Sequence, residues 1–226
     1  MKKYIIGFII SMIAFTVNGQ RVVEKEITVK PASSIDLKLE FADTIQVKQS
    51  KDNMLRIKAI VSINDSQNND KYEIIVRDDG DLLKVKANIN DMKSIQVPCK
   101  NHKGSNSESH SGGCVNIDIY YVIEVPAVAN LHIETINGNI TIDNALCAMS
   151  IESISGFIDL RIPAKANLDL NLKTITGGVY TNHEFNINTD NFKGNPGGTN
   201  AWFKLGSGGN KVKLSTISSD IFIRKI

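Results

Sequence analysis

The sequence predicts an all-β protein, with a parallel β-helix or related β-solenoid in its C-terminal half and added strands or hairpins in its N-terminal half. Three observations predict it. One phrase recurs four times, at Ile133–Ile140, Ile151–Ile158, Leu172–Val179 and Leu214–Ile221, with starts 18, 21 and 42 residues apart; a fixed period near twenty marks a stacked repeat architecture. The segments before the repeats alternate apolar and polar residues, the period of a half-buried strand. Past the first twenty residues, no stretch carries a helical period.

The chain has 226 residues and opens with Lys2-Lys3, an apolar run from Tyr4 to Val17, and Asn18-Gly19-Gln20. That pattern reads as a signal peptide over residues 1–19, cleaved near Gly19 or Gln20. The whole sequence carries 26 Lys+Arg against 24 Asp+Glu; the leader holds two lysines and no acid, which leaves 24 of each. A balanced mature chain gives no electrostatic case for nucleic acid or an anionic membrane as partner. No second long apolar run follows, so no stable membrane insertion is expected after cleavage. Residues 20–226 are read as one all-β repeat domain, with a degenerate coil and hairpins over 20–125 and clear repeats over 126–226.

Taken in order, Ile35, Leu37, Leu39 and Phe41 start a degenerate first coil that continues with Ile45 and Val47. Leu55, Ile57, Ala59, Val61 and Ile63 share one face of a strand. Tyr72, Ile74 and Val76 lead through Asp78-Asp79-Gly80-Asp81 to Leu83, Val85, Ala87 and Ile89, and Asp-Gly between alternating runs signals a hairpin. Ile117, Ile119, Tyr121, Ile123 and Val125 form the longest clean alternation. The strands between Leu55 and Val125 are expected to cover one end of the repeat array, which protects an open edge.

In the first repeat Leu131, Ile133 and Thr135 share a face, and Ile140 and Ile142 share another of opposite parity. The phase must reset between them, and Asn137-Gly138, residue types that accept positive φ cheaply, is the expected corner. Ser155-Gly156, Thr176-Gly177-Gly178 and Ser218-Ser219 fill the same place in the later copies. One strand–corner–strand unit cannot bury its own apolar face, but stacked units share a core. Between the third and fourth copies, His183 to Asn210 reads as a loose Gly-rich insertion, with Trp202 and Phe203 plugging a coil end or anchoring a long loop.

The stretch from Cys99 to Cys114 has no aliphatic side chain and is expected to be an exposed excursion. In an exported protein, cysteines flanking such a loop suggest a disulfide. Zinc held by Cys99, His102, His110 and Cys114 is the weaker alternative, since the spacing matches no finger pattern. Cys147 is expected to be a small core residue. Glu134 and Glu152 sit at equivalent outward positions and would stack; a carboxylate pair suits glycoside cleavage. Lys173 and Ser215 at the same position of the other copies point instead to a solvated face. Asp143-Asn144 and Asp190-Asn191 are the places where calcium would be sought, though no periodic glycine-aspartate motif accompanies them. No nucleophile elbow accompanies the four histidines.

The repeat phrase and the terminal run Gly208-Gly209-Asn210-Lys211-Val212-Lys213-Leu214-Ser215-Thr216-Ile217-Ser218-Ser219-Asp220-Ile221-Phe222-Ile223-Arg224-Lys225 resemble the bacterial "putative adhesin" repeat family of the Bacteroidetes envelope type. The likeness is strong from Pro126 to Lys225 and weaker from Pro31 to Val125. It implies a right-handed β-helix-like fold and brings no active-site residues. Ser219 departs from the pattern where the other copies have a corner glycine. The expectation is a non-enzymatic, exported protein of the cell envelope, periplasmic or on the surface, that binds or scaffolds an envelope protein or polysaccharide without a cofactor. The contacts would come from an outward ladder face: His132, Glu134, Thr141, Glu152, Asp159, Lys173 and Tyr180, with Trp202. A carbohydrate-active β-helix enzyme, a polysaccharide lyase or hydrolase using Glu134, Glu152 and Trp202, is the alternative.

Overall fold

The computed structural model describes residues 16–17, 19–98, 113–127, 129–144, 147–184, 192–195 and 198–226. The expected leader up to residue 15, the polar loop with Cys99, His102 and His110, and Asp190-Asn191 lie outside the described residues. What is described is all-β, interrupted by one 3₁₀ turn at Asn69–Lys71. Two nine-stranded mixed sheets carry the structure, with a two-stranded pair of Val97–Pro98 and Gly113–Cys114 beside them. Both large sheets have open edges and neither closes on itself; pairing is parallel from Ile117–Val125 to the edge strand Val179–Thr181 in one sheet and from Leu168–Thr174 to Leu82–Ile89 in the other, and antiparallel elsewhere.

Every repeat copy places one strand in each sheet. The first copy gives Asn130–Thr135 and Asn139–Asp143, and the second Met149–Ser153 and Ile158–Ile162. The third gives Leu168–Thr174 and Val179–Thr181, and the fourth Asn210–Thr216 and Ile221–Lys225. The segment expected to form a degenerate coil supplies Ser34–Lys38 and Thr44–Gln49. These strands pair in parallel and in register, so Leu37, Ile133, Ile151, Leu214 and Leu172 form one row of core side chains. Ile45, Ile140, Ile158 and Ile221 form the facing row, and all nine are 0% exposed.

The order of that row departs from chain order. The fourth copy lies between the second and the third in both sheets. The doubled gap of the sequence is therefore not a missing coil. After the third copy the chain runs out through Phe192–Asn195 and Gly198–Leu205, the latter antiparallel to Leu168–Thr174, and then inserts its last two strands inside the stack. The insertion read as a loose loop thus contains an eight-residue strand. Its alternation is short but clear: Ala201 and Leu205 are buried and Phe203 packs on the core, while Trp202 faces outward.

The opposite end is covered as expected. Gln20–Thr28, Met54–Ile63 and Ile117–Val125 extend one sheet, and the hairpin of Tyr72–Asp78 with Leu82–Ile89 extends the other. Tyr72 and Tyr121 bridge the two sheets there through hydroxyls 3.0 Å apart, both buried. Cys147 is 2% exposed, and burial pushes its thiol up to about 11.

At the corners, Thr135, Ser153, Thr174 and Thr216 are buried polar residues in an apolar core. Thr135 Oγ1 accepts from the Gly138 N–H at 3.3 Å and donates to the Leu39 carbonyl at 2.8 Å. Thr174 Oγ1 accepts from the Gly177 N–H at 2.9 Å and donates to the Ser219 carbonyl at 2.8 Å. Ser153 Oγ accepts from the Gly156 N–H at 2.9 Å, and Thr216 Oγ1 donates to the Gly156 carbonyl at 3.2 Å. Each hydroxyl thus closes its own turn, reaches the next coil, or does both.

Positive φ is not why glycine stands at the corners, because none of Gly138, Gly156 and Gly177 has it. Close approach is the reason. A Cβ on Gly156 would run into the Gly138 carbonyl, and one on Gly177 into the Ser219 carbonyl. We expect Gly156→Ala to cost about 3 kcal/mol, since backbone on the adjacent coil cannot yield as a side chain would. Thr216→Val should cost about 1–2 kcal/mol by orphaning the buried Gly156 carbonyl. Urea denaturation with unchanged m-values checks both.

Candidate functional site

The outer face of the sheet that holds Asn130–Thr135 carries two rows across the stack. The inner row is Lys38, Glu134, Glu152, Ser215 and Lys173, aligned by strand register. Two residues further along each strand comes the outer row of Glu40, Ile136, Ile154, Ile217 and Ile175. The four isoleucines are 38%, 44%, 43% and 51% exposed in that order. Strands stand about 4.8 Å apart, so the isoleucine row is about 14 Å long. Between the two rows runs a trough of about 490 Å³.

The charges along the trough are largely paired. Lys38 Nζ lies 3.0 Å from Glu134 Oε2, and Lys213 Nζ lies 2.6 Å from Glu152 Oε1. Lys86 Nζ is 3.9 Å from Glu40 Oε1. His132 Nε2 sits 3.0 Å from Glu134 Oε1, and its Nδ1 3.1 Å from the Ser150 carbonyl oxygen. Hydrogen bonds from His132 and then Lys38 hold the Glu134 carboxyl below its usual range. A glycosidase acid needs the opposite, a carboxyl raised enough to keep its proton. The stacking of Glu134 on Glu152 is real, but the pair serves cross-strand lysines. Among the described residues no cluster of three or more His, Cys, Asp or Glu side chains is arranged to hold a metal ion.

The structure divides the other expected site residues. His132 lies in the row next to the trough, aligned through Ser150, Lys213 and Asn171 with Trp202, which is 39% exposed at the far side of the sheet. Tyr180 belongs to the other sheet. It stacks on Phe222 with centroids 5.5 Å apart, and the Arg224 guanidinium lies 5.0 Å over Phe222 on that face. Thr141, half-buried, sits beside Asp159 on the same sheet. Asp159, expected to face outward, is only 2% exposed, because Arg161 and Arg224 close over its carboxylate at 2.9 and 3.1 Å.

Sequence reasoning missed the isoleucine row. The signal was present: Ile136, Ile154, Ile175 and Ile217 are the fixed isoleucine of the phrase, with parity opposite to the core aliphatics. A residue that precedes the phase reset on the wrong parity for the core must face out.

No protein-family model matches the chain, and no curated protein does. Among solved structures, the chain is similar to a putative cell adhesion protein from Clostridium sporogenes, with 13% identity over 90% of this chain and 99% of that one, at a TM-score of 0.45. It is also similar to a putative adhesin from Bacteroides fragilis, with 11% identity over 91% and 97% of the two chains and a TM-score of 0.31. A putative adhesin from Parabacteroides merdae shares 16% identity over 71% and 62%, with a TM-score of 0.22. At such scores these likenesses carry no argument about family or ligand. Among the described residues no helix is long and apolar enough to cross a membrane.

Because the folded Glu134 carboxyl is depressed, its contribution to stability is present above the ordinary carboxyl value of 4.5 and is lost as pH falls through its lower folded value. We expect Glu134→Gln to remove that part of the acid-side slope, measured as denaturation midpoint against pH from 6 down to 3, approximately the window where carboxylates titrate.

Proposed function

We propose that this chain is an exported, non-enzymatic binding protein of the bacterial cell envelope, in which a right-handed solenoid of stacked coils presents the isoleucine trough to its partner. The observation that carries the reading is the line of four half-exposed isoleucines on successive coils, flanked by charges that are already paired. A repeat that only needed a core would place polar residues there. Contiguous exposed apolar surface marks interaction sites on soluble proteins. The depressed Glu134 carboxyl counts against the carbohydrate-active alternative.

Export is supported by the leader read from the sequence and by cysteine use. The antiparallel pair of Val97–Pro98 with Gly113–Cys114 brings the two ends of the polar loop together, as a Cys99–Cys114 bridge requires. Mass after alkylation in denaturant should show one labelled thiol, Cys147, and three only after reduction.

The binding reading is tested by Ile154→Lys combined with Ile217→Lys. Both positions are outward, so the fold should survive. Co-sedimentation of the purified protein with cell-envelope fragments is expected to drop by more than about tenfold. Unchanged co-sedimentation by a folded variant would contradict the assignment of the trough.

A further inference from the structure

We infer that the trough takes a single-chain amphiphile with a compact anionic head, the chain lying along the isoleucines and the head at Lys173; this rests on the reading of the trough as the binding site. Charge decides the head. Of the five charged residues that line the trough, Glu40, Glu134 and Glu152 each have a lysine, and Lys38 is one of those partners. Lys173 is the remaining one, and among the described residues it has no ion pair. Its strand neighbours in register are Ser215 on one side and Asn200 on the other, both neutral hydrogen-bonding residues. An anion placed there meets a cation that no described residue neutralises.

Position decides the polarity of the ligand. Lys173 stands two residues before Ile175, the last isoleucine of the row, so head and chain would meet at one end. At the other end, beside Ile136, Glu40 and Lys38 are both already paired, so no unpaired cation among the described lining residues draws the head there. The apolar row of about 14 Å suits a polymethylene chain of medium length.

Other occupants fit less well. An extended peptide adds to a sheet through backbone groups at an edge. The trough instead crosses the middle strands, whose backbones are paired on both sides. A sugar chain would need free hydrogen-bonding side chains or an aromatic platform. The carboxylates here are engaged, and among the described residues no aromatic side chain lines the trough.

The test is calorimetric titration of the mature protein with decanoate, decyl phosphate, decanol and decyltrimethylammonium, all below their micelle concentrations, at low salt. The anionic probes should bind about fivefold tighter than decanol, and the cationic probe weakest. Affinity should rise roughly two- to fourfold per CH₂ from octanoate to dodecanoate. Lys173→Gln should erase the preference for anions and keep decanol binding, whereas Ile154→Lys with Ile217→Lys should abolish both. Equal binding of all heads, or no effect of Lys173→Gln, overturns the anionic head. Sedimentation with anionic phospholipid vesicles but no binding of free amphiphile overturns the proposal in favour of a membrane surface. If no amphiphile binds while the isoleucine variant still loses envelope association, the ligand class is wrong and the trough assignment stands; if that variant also keeps its envelope association, both fail.

Discussion

Each of the four repeat copies depends on a hydroxyl buried at its corner, Thr135, Ser153, Thr174 or Thr216. Each repeat copy has to reverse its side-chain phase within about three residues as it passes from one sheet to the other, and the turn that does so leaves an N–H pointing into an apolar core. Leaving such a donor unpaired costs on the order of 1–3 kcal/mol. Thr135, Ser153 and Thr174 each accept from the glycine three residues on, while Thr135, Thr174 and Thr216 donate onward to the neighbouring coil. A hydroxyl can do both, because it has one proton and two lone pairs. The same contact that closes a turn therefore fixes its height against the next coil. Glycine completes the arrangement because the coils approach so closely there that a Cβ would meet a carbonyl.

That constraint has a consequence on the outside. Once corner hydroxyls are stacked, the residue after each of them is stacked too, and in all four copies that residue is isoleucine. Alignment of the core turns scattered surface aliphatics into a continuous row. The residue before each hydroxyl forms the parallel polar row, where Glu134 and Glu152 take lysines from neighbouring strands and Lys173 does not. The trough is thus the outer imprint of the corner geometry. Its ionic wall is exposed and screened, so it contributes selectivity more than stability.

Much of this was legible in the sequence. The all-β class, the parity of core residues such as Ile133 against Ile140, the hairpin at Asp79-Gly80 and the stacking of Glu134 on Glu152 all follow from period-two alternation and a fixed repeat. What was not legible has physical causes. The insertion of the fourth copy between the second and third depends on which coil edges are free when the chain returns, and equal phrases do not encode their order. The strand Gly198–Leu205 hides among glycines, because its inward residues are only Ala201, Phe203 and Leu205. Asp159 resembles an outward polar residue until Arg161 and Arg224 close over it from its own and the adjacent strand. The isoleucine row was overlooked because isoleucine reads as core unless parity is followed through the corner.

The isoleucine row and the trough both depend on the spatial order of the repeat copies in the sheets. Pairs of cysteines on the outer face test it under mild oxidation. Ser150 is adjacent to Lys213 in register, whereas Asn171 is one strand further away. Neighbouring strands place Cα atoms about 4.8 Å apart, within disulfide reach, and a second strand doubles that to beyond about 7 Å, where no bridge forms without backbone movement. The account predicts a bond between Ser150→Cys and Lys213→Cys and none between Ser150→Cys and Asn171→Cys. A bond in the second pair and not the first would mean that the copies stack in chain order, and the row from Ile136 to Ile175 would then have to be redrawn.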